Sequence, residues 1–214
     1  MTTVTIHGHA FATCTQRVMA VCKEIGLKYQ IVTVDLKNGE QKTPEYLATK
    51  QPFGVIPVLV DEDGTKIYES RAICRYLVAK YGKDSGLLPN QSDVKAYGLF
   101  EQAASIEYST FDPYAAPLTS ELVFGKLWGR EADEKLVQKY TESLNSKMEG
   151  YERVLSKQKY LAGDNFTLAD LFHLPYGHHV NQIDPNIFGS KPSVKRWWDD
   201  ISSRASWAAA LAEN

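Results

Sequence analysis

The sequence predicts an α/β unit followed by an all-helical unit. Strand and helix signals alternate over the first 82 residues. A polar, turn-rich stretch follows at 83–92, containing Pro89-Asn90-Gln91-Ser92-Asp93. Beyond it strand signals vanish and apolar residues recur at helical spacing. The expected divisions are therefore 1–82, a linker at 83–92, and a helical domain at 93–214. A chain of 214 residues is long enough for two modest cores.

In order, Val4 to His7 reads as a short strand and Thr13 to Gly26 as a helix. Tyr29 to Asp35, rich in β-branched residues, is a second strand, and strand-helix-strand with short links suggests a parallel βαβ unit. A loop at Lys37-Asn38-Gly39-Glu40 leads to a helical piece near Glu45 to Thr49. Val58 to Asp61 and Lys66 to Glu69 form two strands joined by the turn Glu62-Asp63-Gly64-Thr65, and a helix starts near Ser70. In the second unit, Leu136, Tyr140, Leu144, Met148, Tyr151 and Leu155 lie on one face of a long helix. Val194, Trp197, Trp198 and Ile201 make another such face. Thr167 and Asp170 form a capping box, with Phe166 and Leu171 placed as its hydrophobic staple.

Composition narrows the function classes. Hydrophobic residues are 43% and charged residues 23%, which argues against disorder. A net charge of −2 without a basic block does not suit nucleic acid or an anionic membrane. No apolar run approaches the ~20 residues that span a bilayer. The first residues form no basic leader, so a cytoplasmic protein is expected. Cys14, Cys22 and Cys74 are an odd, sparse set that fits a reducing compartment, and without a CxxC pair no metal site is expected.

Three motifs carry possible chemistry. In Gln51-Pro52-Phe53-Gly54-Val55-Ile56-Pro57-Val58 a proline precedes a strand. A cis bond there would leave the Ile56 backbone free to pair with an extended peptide. In Tyr68-Glu69-Ser70-Arg71 a strand meets a helix start, where Ser70 is a natural cap. The free N–H groups there suit a carboxylate, and Glu69 suits an ammonium. Gln41-Lys42 lies in a loop where Lys42 could face a terminal carboxylate. Each motif also has a purely structural reading, as a turn, a cap or a solvated lysine.

Together these motifs resemble the cytosolic glutathione transferases, most closely the phi class. The resemblance covers nearly the whole chain. It is carried by Gly39-Glu40-Gln41-Lys42-Thr43-Pro44-Glu45, Gln51-Pro52-Phe53-Gly54 and Glu69-Ser70-Arg71-Ala72-Ile73-Cys74-Arg75-Tyr76. Phe111-Asp112-Pro113, Tyr160-Leu161-Ala162-Gly163-Asp164 and Trp198-Asp199-Asp200-Ile201-Ser202 extend it. The resemblance implies a thioredoxin-like first domain and conjugation of glutathione to hydrophobic electrophiles, with activity on organic hydroperoxides a further expectation. It implies a homodimer with Phe53 near its interface, and glutathione as co-substrate with no other cofactor. Glu69 and Ser70 would hold the γ-glutamyl end, Ile56 with cis Pro57 the cysteinyl backbone, and Gln41 and Lys42 the glycyl carboxylate. Val55 stands where family members often carry glutamine, so it offers no side-chain amide at the glycyl end.

One position departs from the family. The serine that phi members place five residues before Arg17 is Ala12 here. Thr13 carries the next hydroxyl, and Thr13-Cys14-Thr15-Gln16 also reads as a capping box. Cys14 carries a thiol near a helix start, yet helical spacing sets it on an apolar face with Val18, Val21 and Ile25. Backbone N–H groups are a third source of thiolate stabilisation. For the electrophile, which the family binds between its two domains, the candidates are Phe11, Tyr108, Phe111, Tyr114 and Leu118, each equally able to be core. The missing hydroxyl keeps two other functions open. One is a low-turnover ligandin for hydrophobic molecules; the other is a thiol transferase using Cys14.

Overall fold

β1 (Thr3–Gly8) buries Val4, Ile6 and Gly8 and leaves Thr5 and His7 partly exposed, the period-two alternation of a strand with one face on a core. It was located in a computed structural model that describes residues 2–213. α1 (Thr13–Glu24) buries Val18, Met19, Ala20, Val21 and Cys22. β2 (Lys28–Thr33) returns parallel to β1, in register from Thr3 with Lys28 to Gly8 with Thr33. α2 (Pro44–Thr49) begins at Thr43, whose hydroxyl accepts from the Tyr46 N–H, with Pro44 at the first helical position.

β3 (Val58–Val60) and β4 (Lys66–Tyr68) form the predicted hairpin, and β3 lies antiparallel to β1. The sheet order is β2-β1-β3-β4, the thioredoxin-like arrangement the resemblance implies. α3 (Ser70–Tyr81) buries Ile73, Cys74, Leu77 and Val78 and packs on α1. Asp61, at the end of β3, ties the hairpin to this helix. It accepts hydrogen bonds from Tyr81 at 2.6 Å, from Lys80 at 2.7 Å and from Tyr76.

The second unit opens with one continuous helical run. It comprises α4 (Val94–Ile106), a π turn at Glu107–Phe111, α5 (Asp112–Thr119), a second π turn at Ser120–Phe124 and α6 (Gly125–Leu127). Pro113 and Pro117 lie within it, and neither can supply the N–H of a regular ladder. α7 (Glu134–Leu155) is the predicted long helix and buries Leu144, Met148, Tyr151 and Leu155. α8 (Leu168–Leu171), α9 (Leu174–Ile183), α10 (Asn186–Gly189) and α11 (Pro192–Ser202) complete the unit. α11 buries Val194, Trp197, Trp198 and Ile201, as its spacing predicts.

Asp170 organises this core. Both halves of the Thr167–Asp170 capping box are made. The fully buried Asp170 carboxylate also accepts from the Leu161 N–H at 3.0 Å and from Trp197 Nε1 at 2.9 Å, joining two distant segments to the start of α8. Phe166 packs against the Tyr160 ring and under the Arg204 guanidinium.

The domain boundaries differ from those expected. Contacts divide the chain between Leu88 and Pro89, and the segment from Ala205 onward belongs to the first unit. The reason is α12 (Ala205–Leu211), which buries Trp207 and Ala210 and packs on α1, with Ser206 donating to Glu24. A tail assigned by its position in the chain to the helical domain finds its apolar partner on α1. Among the described residues no helix is long and apolar enough to cross a membrane, and no cluster of His, Cys, Asp or Glu could hold a metal ion.

Replacing Asp170 with alanine removes its half of the capping box and leaves the buried Thr167, Leu161 and Trp197 donors unsatisfied. The expected loss is about 3 kcal/mol or more, read as a lower midpoint in urea unfolding. A loss below about 1 kcal/mol would show that the network is dispensable.

Candidate functional site

The site is assembled by the close approach of three chain segments. At the end of β1, Gly8 leaves no side chain between α1 and Pro57. A Cβ there would lie 2.6 Å from Thr15 Oγ1 and 3.4 Å from Pro57 Cβ. The Ile56–Pro57 bond is cis, and the ladder of β3 begins only at Val58, so Ile56 stands outside it. Tyr46 donates its hydroxyl to the Val55 carbonyl at 3.2 Å, holding this segment from behind.

Gly54 brings the second segment in. With φ +64 it occupies the left-handed region, and a Cβ would lie 2.7 Å from the Gln41 carbonyl oxygen and 2.9 Å from Lys42 Cδ. Lys42 Nζ donates to the Phe53 carbonyl at 3.3 Å, while the buried Gln51 side chain accepts from the Phe53 N–H at 2.6 Å. Gln41 keeps a buried side-chain oxygen with no hydrogen-bond partner among the described residues. Val55, 45% exposed, presents only an apolar surface here.

The third segment is the start of α3. Its N-cap is Glu69 and not Ser70, and no side chain caps it. Glu69 is the one non-glycine residue at positive φ, +69, among the described residues. That conformation costs a non-glycine residue on the order of 1 kcal/mol or more and is commonest at functional sites. Ser70, expected as the cap, is buried and accepts instead a hydrogen bond from Arg17 Nη1 at 2.8 Å.

The start of α1 likewise differs from the capping-box reading. Its N-cap is Ala12, with no side-chain cap hydrogen bond, and Thr13 is the first helical residue, only 4% exposed. The first N–H groups of α1 therefore lack both an intrahelical acceptor and a capping side chain. Cys14 does not join Val18 and Val21 in the core. It is partly exposed, and Arg17 Nη1 reaches its sulfur at 3.5 Å. Cys22 and Cys74 are buried. Burial pushes both thiols up, that of Cys74 to about 12, so neither is a nucleophile at neutral pH.

The aromatic candidates divide by burial. Phe11 is partly exposed and packs on the His9 ring at 4.2 Å. On the helical unit Tyr108 is 64% exposed, and Tyr114 is partly exposed near Lys147. Phe111 and Leu118, expected to line a hydrophobic pocket, are fully buried. Phe111 lies among His173 and Phe188, so both side chains serve the helical core. Sequence reasoning used Arg17 only as a landmark and did not single out Gly8 or Gln51. The one signal for Arg17 is a charged residue set within an otherwise apolar helix face.

Among the described residues, the thioredoxin-like unit thus carries an unpaired backbone at Ile56, two residues before the Val58–Tyr68 pair that leads into Glu69 and Ser70. Known proteins agree. Residues 11–80 match the glutathione S-transferase N-terminal domain family, and residues 106–205 match the C-terminal domain family. Glutathione S-transferase PM239X14 of Arabidopsis thaliana is 64% identical over 92% of this chain and 91% of its own length. The crystal structure of glutathione transferase F7 from Populus trichocarpa superposes with TM-score 0.91 at 35% identity, covering 98% of each chain. Glutathione S-transferase I from mais, in complex with an atrazine glutathione conjugate, superposes with TM-score 0.89 at 28% identity, covering 98% of this chain and 96% of its own. The chain belongs to the cytosolic glutathione transferase family, in its phi branch, and is a glutathione-conjugating enzyme.

Gly54→Ala is expected to lower thermal stability and weaken glutathione binding severalfold, because the new Cβ must push the Gln41–Lys42 backbone away. Gly39→Ala is the control. Gly39 has φ +73 but nothing within 4 Å of a Cβ, so it suffers only the backbone cost. Equal binding losses in the two variants would remove the role given to close approach.

Proposed function

We propose that glutathione lies extended along the Ile56 edge with its γ-glutamyl end at Glu69 and Ser70 and its glycyl carboxylate at Gln41 and Lys42. The Ile56 backbone pairs with the cysteinyl residue as an added strand. The glutathione sulfur then faces the start of α1. The observation that carries this reading is the uncapped N-terminus of α1 at Ala12, set beside cis Pro57 across Gly8. The α1 N–H groups and helix dipole favour the thiolate. Thr13 is only 4% exposed, so the α1 backbone N–H groups supply the direct hydrogen bonds to the sulfur.

The thiolate attacks an electrophilic carbon of a hydrophobic substrate, forming a C–S bond as the leaving group departs with its electron pair. The atrazine conjugate bound by the mais enzyme is a product of this kind. Phe11 offers an aromatic surface in the turn before α1. Tyr108 and Tyr114 remain the accessible aromatic candidates on the helical unit. With an organic hydroperoxide the same thiolate would attack the O–O bond, releasing an alcohol, and a second glutathione would complete reduction to the disulfide and water. Glutathione is the co-substrate, the chemistry calls for no metal or further cofactor, and the setting is the cytoplasm.

Partial exposure of Cys14 favours one second reading, thiol transfer through a Cys14–glutathione mixed disulfide. Conjugation of a chloronitrobenzene separates the two. Ala12→Ser is expected to raise turnover about tenfold or more, since one added hydrogen bond to a thiolate is worth about 1.5–3 kcal/mol. Cys14→Ser and Thr13→Ala are each expected to change conjugation less than threefold. Loss of conjugation in Cys14→Ser would replace the first reading with the second. Wild-type protein that binds glutathione and hydrophobic dyes without turnover would make it a ligandin.

A homodimer is proposed on an apolar patch of the first unit. Phe53 is 69% exposed, its ring 6.4 Å from Tyr68, with Leu47 and Val55 also exposed nearby. Such a patch marks an interaction surface. Phe53→Lys is expected to shift the protein from dimer to monomer in size-exclusion chromatography with light scattering, and an unchanged mass would remove Phe53 from the interface.

A further inference from the structure

Arg17 is fully buried, and its Nη1 makes one contact to α3 and one within the first turns of α1. It donates to Ser70 Oγ, in the first residue of α3, at 2.8 Å, and to Cys14 Sγ, in the second residue of α1, at 3.5 Å. A permanent positive charge thus sits within hydrogen-bond distance of the first turns of both helices. Helix starts are themselves electropositive, so three positive sources converge on one corner. A guanidinium cannot shed its proton to escape burial. The corner is therefore arranged for anions to arrive, and a bound thiol peptide brings two, a carboxylate at α3 and a sulfur at α1.

We infer that Arg17 is a positioning residue that takes over, as a fixed charge behind α1, the thiolate stabilisation that Ala12 cannot supply, while orienting Ser70 toward the γ-glutamyl end. The inference rests on the glutathione placement given above. Other charged and titratable groups face this corner. Cys14 lies on α1 itself. From α3 come Glu69 at its cap, Cys74, and Arg71 and Arg75, which with Arg17 act on the Cys74 thiol. His9 follows β1. α12 brings no charge to this end, since its Ser206 bonds Glu24 at the far end of α1. Arg17 bonds the first turns of both helices through one nitrogen.

The test titrates the thiol of bound glutathione by its ultraviolet thiolate absorbance and measures glutathione affinity separately, with circular dichroism as the folding check. In wild-type protein the bound thiol is expected to titrate well below free glutathione. If wild type binds glutathione without lowering that value, the placement at α1 fails, and this inference with it. Given a lowered wild-type value, Arg17→Gln and Arg17→Met are expected to raise it by about one unit or more, a tenfold loss of thiolate at neutral pH. Arg17→Lys keeps the charge on a shorter side chain without the planar guanidinium that reaches Ser70. It is expected to hold the thiol value near wild type while affinity falls at least threefold. Folded neutral variants with an unchanged thiol value would overturn the inference, as would a Cys14→Ala protein showing the same rise with Arg17 in place. Should neither neutral variant fold, Arg17→Lys decides by affinity, and an unchanged affinity overturns the role given to Arg17.

Discussion

The first unit depends on one buried hydrogen bond, from the Arg17 guanidinium to the Ser70 hydroxyl. It joins α1 to the start of α3 through residues 53 apart in the chain. Removing either partner would leave a buried charge or hydroxyl without its contact, a cost of about 1–3 kcal/mol for a neutral group and more for a charge. In the proposed placement of glutathione, the same bond sets where an anion is held. Helix dipoles and a fixed charge act strongly when water is excluded and their geometry is already paid for by folding.

Close approach is the second constraint, and it is met by omission of side chains. Gly8 lets α1 and Pro57 meet, and Gly54 lets the Phe53–Val55 segment lie on the Gln41–Lys42 backbone. Glu69 accepts an unfavourable backbone conformation at the third corner. A strained acid, two glycines and a buried arginine are poor choices for stability alone, so local rules are broken where the ligand is to be held. The helical unit follows the opposite logic. There Asp170 satisfies donors from three segments, and Phe111, Leu118, Trp197 and Ile201 fill a core.

The sequence by itself determined the order of strands and helices, because the period of apolar residues and the punctuation by Gly, Pro and capping residues are local properties. The Thr167–Asp170 box and the long α7 could both be read this way, while the cis bond at Pro57 is an expectation of the family resemblance. Resemblance to a family added the roles of Gln41, Lys42, Glu69 and Ser70, and pointed to Ala12 as the missing hydroxyl. Tertiary structure decided what local pattern could not. It made Glu69 the cap of α3 and gave Ser70 to Arg17; it turned Cys14 toward a guanidinium and sank Phe111 and Leu118 into the core. It also returned α12 to the first unit. The Arg17–Ser70 bond, the burial of Phe111 and Leu118 and the return of α12 turn on which distant surface a side chain meets, and contacts at long sequence separation leave no period in the chain.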